Sequence, residues 1–460
     1  MKLAKAFCIG LVQLAIAVAG ATSSRSADSF PVTNDRTPDG WSGPVFDPSF
    51  SFPVERPAPE NLPWAGIDFK VDPERYMSAV LAYVLEGMDR DAWDAEGNPV
   101  RRWYHAPWMH EGSNGREFVR GLTRERSSRK GELGTGQTRC YQNWAVSITN
   151  PLGGYTYGQV WNDGSRPPDP RNAQFAEGVV MAKLLFTQAP EDEVPMLRNA
   201  PTWMANVVRP TPGSDACPAS GGEREVQAMR LLQFDVAVSH PLSEASTGWV
   251  YGTFVYDGSR TDDDPWDRLA PVGLMWGNDP ELSDADAANG RRPVEGIVLS
   301  DFGLGRAFGR GGRMNGPVDN PSSACLSCHM TAQYPSAARM APPENANPDA
   351  VMCWFRNLRP GEAFGSEPGA TASCGAQPPS PIIATGTSLQ LAMGLRAYSA
   401  ATSATLPTMP DQPTPEGAMD VLTRSALVNW LSQSLESRAA LLDAPLVEHG
   451  LPSFPVTRGD

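Results

Sequence analysis

The chain has 460 residues, 41% of them hydrophobic, and a formal net charge of −14. That length buries at least one large core and allows two domains, and the composition is that of a globular protein rather than a disordered or fibrous one. The acidic balance argues against nucleic acid and anionic membrane as partners; it suits docking to a basic patch on a partner protein, or solubility alone.

The N-terminus has the layout of a secretory signal peptide. Lys2 and Lys5 form a short basic region, an apolar run covers 6–19, and small residues follow at Gly20, Ala21, Thr22 and Ser23. Cleavage after Ala21 fits the small-residue rule and removes Cys8 with the signal, 1–21. The run falls short of the roughly 20 residues of a membrane span, so an uncleaved anchor is the lesser alternative. The expectation is export to the periplasm or beyond, with no membrane span after signal removal. Residues 22–65 follow as a Pro-rich extended arm with aromatic anchors.

Residues 66–300 read as one helix plus an antiparallel sheet. Asp72 and Pro73 supply a helix cap and first-turn proline, and Tyr76, Val80, Leu81, Tyr83 and Val84 share a face through about Gly87. His105 and His110 lie in an aromatic-rich loop. Each is a candidate distal ligand or proton donor, with a hydrogen-bonded loop histidine as the plainer reading. The 115–130 stretch concentrates Arg116, Arg120, Arg124, Arg126, Arg129 and Lys130. Arg120 and Arg124 are spaced to share one helical face, suited to an anionic group; Glu117 and Glu125 offer a salt-bridged surface instead.

Strand-like runs dominate the middle. Residues 142–149 and 155–161 flank Asn150-Pro151-Leu152-Gly153-Gly154, which predicts a hairpin. Residues 178–187 predict a third strand, 229–238 and 248–257 a second pair, and 271–278 and 296–300 further short strands. His240, before Pro241, reads as structural. The fold class expected is α+β: an antiparallel β-sheet core with covering helices and Pro/Gly-rich loops. Residues 301–460 form a last region. It opens with a Gly-rich loop, 304–320, that lacks the Lys-Ser/Thr of a phosphate-binding loop. Helices are predicted at 388–400 and, as an amphipathic C-terminal helix, at 417–442.

Cys325-Leu326-Ser327-Cys328-His329 carries the chemistry. In C-x-x-C-H each thiol can add to one haem vinyl group, and the adjacent His is placed against the iron as proximal ligand. The motif coincides with an export signal, where such attachment takes place. Zinc lacks a second Cys/His pair at ligand spacing, and a redox dithiol lacks its strand–helix context. One such motif predicts one covalent haem c in 301–460. Without Cys8 and the motif pair, four cysteines remain in an oxidising compartment. Three pairings are open; Cys353 with Cys374 and Cys140 with Cys217 are the favoured disulfides.

At Cys325, Cys328 and His329 the chain resembles c-type cytochromes. A second resemblance runs from FAEGVVMAKLLF (175–186) through TGWVYGTFV (247–255) to the late haem motif. It is similar to the β-sheet cytochromes c-prime-beta and the lysine-crosslinked haem cytochromes, although Ala176 and Glu177 replace the usual Pro-Asp and the spacings are longer. The resemblance implies a haem packed on an antiparallel sheet, an iron whose distal side can be open, and Lys183 as the strand lysine a crosslink would use. An ordinary surface or snorkelling lysine is the alternative for Lys183. In the small cytochromes c, by contrast, a methionine loop precedes the C-terminal helix, and Met409 in LPTMP occupies that place here as a candidate sixth ligand. The expected function is electron transfer with a redox partner protein. The alternative is a haem enzyme or small-ligand binder acting on a nitrogen oxide or peroxide.

Overall fold

A computed structural model describes residues 41–404 and 406, apart from 44, 59, 110–114, 211–213, 219–221, 244–245, 304–307, 336–338, 344–345 and 365–381. The signal segment, His110, Cys374, Met409 and the 417–442 helix lie outside the described residues.

The chain is α+β, with an antiparallel sheet at its centre. Helix α1 (Pro73–Leu85) starts where expected: Asp72 accepts a hydrogen bond from the Arg75 amide and Pro73 occupies the first turn. Strands β1 (Thr123–Arg124), β2 (Asn143–Thr149), β3 (Val180–Thr187), β4 (Thr202–Val208), β5 (Arg224–Ser239), β6 (Trp249–Tyr256), β7 (Leu269–Met275) and β8 (Gly296–Val298) make one eight-stranded sheet. Its order is β1-β2-β3-β5-β6-β7-β8, every pair antiparallel. The 16-residue β5 is long enough to pair β4 along its first half and β3 along its second.

The sheet is buried on both faces, and the strand period of two sorts the side chains. Ala182, Leu184, Phe234, Val236, Val250 and Phe254 point to the α1 side, where they join Met77, Val80, Tyr83 and Val84. Gly252 lets α1 lie close: a Cβ there would sit 3.1 Å from Met77 Cε and 3.2 Å from Val236 Cγ2. Ala237, Trp249, Tyr251 and Met275 point the other way. There they meet Met314, Leu326, Met330, Trp354 and Phe355, with Met181 at the margin. That second cluster carries the one-turn helix α2 (Cys325–His329) in reach of the sheet.

The predicted 142–149/155–161 hairpin is not formed. β2 pairs with β3, and Pro151–Trp161 is helix α3. The Asn-Pro-Leu-Gly-Gly segment is a helix start rather than a turn: the Asn150 side chain accepts from the Gly153 amide and Pro151 stands in the first turn. The glycines answer to packing, since a Cβ at Gly154 would come within 2.4 Å of the Tyr104 ring and one at Gly153 would meet the Thr149 hydroxyl. Helix α4 (Leu389–Thr402) matches its prediction and is capped by Ser388. It joins α3, Tyr104, Tyr334 and the arm residue Phe52 in a third apolar cluster. The arm meets the body through aromatic edges: Phe46 on His105, Phe52 on Tyr157 and Trp64 on Tyr83. Among the described residues no helix is long and apolar enough to cross a membrane.

The basic 115–130 stretch is not helical, so Arg120 and Arg124 share no helix face. β1 interrupts it, and several of its arginines turn inward to bind carbonyls that loops leave unpaired. Arg124 donates to the Pro218 carbonyl (2.6 Å), Arg120 to that of Ala92 (2.8 Å), and Arg126 to that of Val318 (3.2 Å) as well as to both Glu132 oxygens. Glu117 is no surface partner either. It is fully buried and accepts backbone N–H bonds from Val119, Arg120, Leu122 and Asn206.

Candidate functional site

Helix α2 spans Cys325–His329, a single turn. Ser327 closes it, accepting from the Ala324 amide (2.8 Å) and donating back to the Ala324 carbonyl (3.0 Å). Leu326 and Ala324 are fully buried in the sheet-side cluster, which anchors the turn. Cys325 and Cys328, three apart, therefore share one side of it. They are the free cysteines among the described residues. Cys140 is bridged to Cys217, and Cys353 is disulfide-bonded to a partner outside the described residues.

Both motif thiols are surrounded by protein yet keep part of their surface accessible, as does His329. Burial raises the Cys325 thiol well above its ordinary value; it pushes Cys328 up to about 12, against a hydrogen bond from Ser323. Thiols held neutral in this way are the opposite of a reactive dithiol, whose nucleophile needs a depressed pKa.

His329 is held through one ring nitrogen. Its Nδ1 lies 2.9 Å from the Thr387 carbonyl oxygen. A carbonyl only accepts, so Nδ1 carries the proton and Nε2 presents its lone pair. Burial depresses the imidazole to about 4, which keeps that lone pair free at neutral pH. The ring also rests on Tyr251 of β6, with centroids 4.7 Å apart.

The sheet face that carries Tyr251 is polar at one place. Lys183 of β3 stands opposite Asp235 of β5, which stands opposite Thr253 of β6. Lys183 Nζ pairs with Asp235 at 3.3 Å; the same carboxylate accepts from Thr253 Oγ1 at 2.8 Å and from Gln233 Nε2 at 2.8 Å. Gln233 Nε2 also reaches Asp319 at 3.2 Å. Burial opposes the charge on Lys183, but Glu125, Asp235 and Asp319 outweigh it and raise its pKa above the usual lysine range. Burial, offset by Lys183, raises Glu125 and Asp235. The field of Lys183 is felt at Cys325, Cys328 and His329. Lys183 is thus ion-paired on the same sheet face as Tyr251.

His105 is likewise held through one ring nitrogen. It is buried, its Nδ1 lies 3.1 Å from the Ser147 carbonyl, and its ring meets Phe46. Burial, reinforced by the Arg116 charge, lowers it to about 3. His240 is structural as expected, accepting from the Leu242 amide and packed between Phe69 and Tyr76. Sequence reasoning missed Thr387 and Tyr251, which hold the imidazole, and the carboxylates around Lys183. None carries a local motif.

The chain matches no protein-family profile, no curated protein and no solved structure.

The donor set fits a covalently bound haem. Two neutral thiols share one side of a turn, the next residue is a histidine with a fixed tautomer and a free Nε2, and all three are partly accessible.

Proposed function

We propose that the protein is an exported monohaem c-type cytochrome that transfers electrons to or from a redox partner protein. Cys325 and Cys328 would hold the haem by thioethers and His329 Nε2 would be the proximal iron ligand. The observation that carries this reading is the His329–Thr387 hydrogen bond beside two unoxidised cysteines, in a chain whose Cys140 and Cys353 are oxidised. In a compartment that forms disulfides, a neighbouring thiol pair kept apart is suited to another covalent use. The bound haem would supply a one-electron iron centre. The chain's own residues would orient it: the α2 turn sets the attachment edge, and Tyr251 supports the imidazole. The acidic surface suits a basic partner patch.

Expression with a cytochrome c maturation system tests this reading. The purified chain is expected to keep haem through denaturing electrophoresis, and the Cys325→Ser/Cys328→Ser double variant to lose essentially all of it. A wild-type chain without covalent haem sinks the proposal.

The second reading, a haem enzyme or small-ligand binder for a nitrogen oxide or peroxide, draws on one observation: the sheet face that carries Tyr251 also carries a lysine among three carboxylates rather than a purely apolar lining. Spectra decide between the two. Low-spin iron indifferent to carbon monoxide supports the carrier; high-spin iron that binds it supports the enzyme. The crosslink implied by the sheet-cytochrome resemblance belongs to this reading, with Lys183 as its residue.

A further inference from the structure

Thr387 sits in a turn that the sequence gives no reason to notice. Helix α4 begins just after it, and strand β9 (Gln333–Tyr334) pairs with β10 (Ile383–Ala384) just before. Gly386 and Thr387 both have positive φ, 58° and 61°. That conformation is easy for glycine and costs a β-branched residue on the order of 1–3 kcal/mol. Gly386 is required there, because a Cβ would lie 2.3 Å from the Phe175 ring. Neighbouring bonds hold the turn: the Thr385 amide donates to the Ala332 carbonyl, and Ser388 caps α4. The result is a carbonyl aimed at His329 Nδ1.

Tyr251 reaches the same residue from the rigid centre of the sheet. Its hydroxyl lies 3.0 Å from Thr387 Oγ1 and 3.3 Å from the Thr387 carbonyl oxygen. It has one proton to share between them. Whatever part goes to the carbonyl is taken from the acceptor that His329 uses. A stronger N–H···O bond makes the imidazole a more electron-rich ligand, and a weaker one does the reverse.

We propose that Tyr251 and Thr387 are positioning residues that set the tautomer and donor strength of His329, with the Thr387 hydroxyl drawing the Tyr251 proton away from the shared carbonyl. This inference rests on the haem reading above. It makes opposite predictions for two conservative changes. Tyr251→Phe removes the competing donor, strengthens the His329 bond, favours ferric iron and moves the midpoint potential down. Thr387→Val keeps the branched Cβ but removes Oγ1, leaves the carbonyl as the acceptor for Tyr251, and moves the midpoint up.

The experiment is redox titration of the matured wild-type, Tyr251→Phe and Thr387→Val proteins, with resonance Raman spectra of the ferrous forms. Shifts of opposite sign in the two variants, matched by opposite shifts of the iron–histidine vibration where it is observed, support the proposal. Unchanged midpoints, or shifts in the same direction as general loosening would give, overturn it. If Tyr251→Phe does not mature, the sign of the Thr387→Val shift decides. A wild-type chain that takes up no covalent haem is a different failure. It sinks the haem reading and this inference with it, whereas loaded variants with unshifted midpoints sink the inference alone.

Discussion

His105 and Lys183 show how burial decides what a titratable side chain does. Both are polar residues set deep in the protein. His105 faces a carbonyl and has an arginine nearby, so burial wins and the ring stays neutral. Lys183 faces three carboxylates, so the charge is kept despite burial. The histidine has a consequence for stability. Its folded pKa lies below the value near 6.5 of an unfolded histidine, so the unfolded chain binds the extra proton. Stability is therefore fully present above pH 6.5 and falls as the pH drops from there toward 3, by up to about 1.4 kcal/mol per unit. Urea unfolding between pH 7 and pH 4 is expected to show this slope, and His105→Asn to flatten it. An unchanged slope in the variant would remove His105 as its source.

At the scale of elements, the helix at Pro151–Trp161 is the instructive case. Its sequence alternates aromatic and small residues as a strand does, and Asn-Pro with two glycines is common punctuation for a turn. What makes it helical is the surroundings of Asn150. That side chain accepts from the Gly153 amide (3.2 Å) while its own amide donates to the Gly178 carbonyl (2.9 Å) and lies 3.3 Å from the Tyr83 hydroxyl. One residue thus starts α3, ties it to the approach to β3 and touches α1. Asn150→Ala is expected to cost about 2–3 kcal/mol, the loss of a cap plus a buried carbonyl left unpaired. Chemical denaturation measures it; a cost under half a kcal/mol would show that α3 is held by packing alone. Helix α2, by contrast, is far too short to form alone, and its burial against the sheet does that work.

The whole molecule depends on contacts far apart in the chain. The sheet brings 183, 235 and 251 beside 325–329, and the Cys140–Cys217 bridge spans 77 residues across β2, β3 and β4. Closing so long a loop restricts the unfolded chain by about 4 kcal/mol in the chain-entropy account. The Cys140→Ser/Cys217→Ser double variant should lose stability of that order while leaving the covalent haem load of the folded fraction unchanged, since neither cysteine belongs to the motif. Loss of haem in proportion to lost folding fits this; loss from protein that remains folded does not.

Local pattern in the sequence was enough for α1, for the α4 helix, for most strands of the sheet and for the identity of Cys325, Cys328 and His329 as a unit. Each rests on neighbours within a few residues: a cap, an alternation, a fixed spacing. Local pattern misplaced the hairpin at Asn150 and the helical face at Arg120 and Arg124, and it passed over β4, because there the deciding partners are distant. The same holds within the site. The spacing of the motif places two thiols and an imidazole together by covalent geometry alone. That His329 turns Nδ1 to Thr387, that Tyr251 reaches the same oxygen, and that Lys183 sits among carboxylates are outcomes of strand register and loop closure. Register and closure are set by burial summed over the whole sheet, and no short stretch of sequence carries that sum.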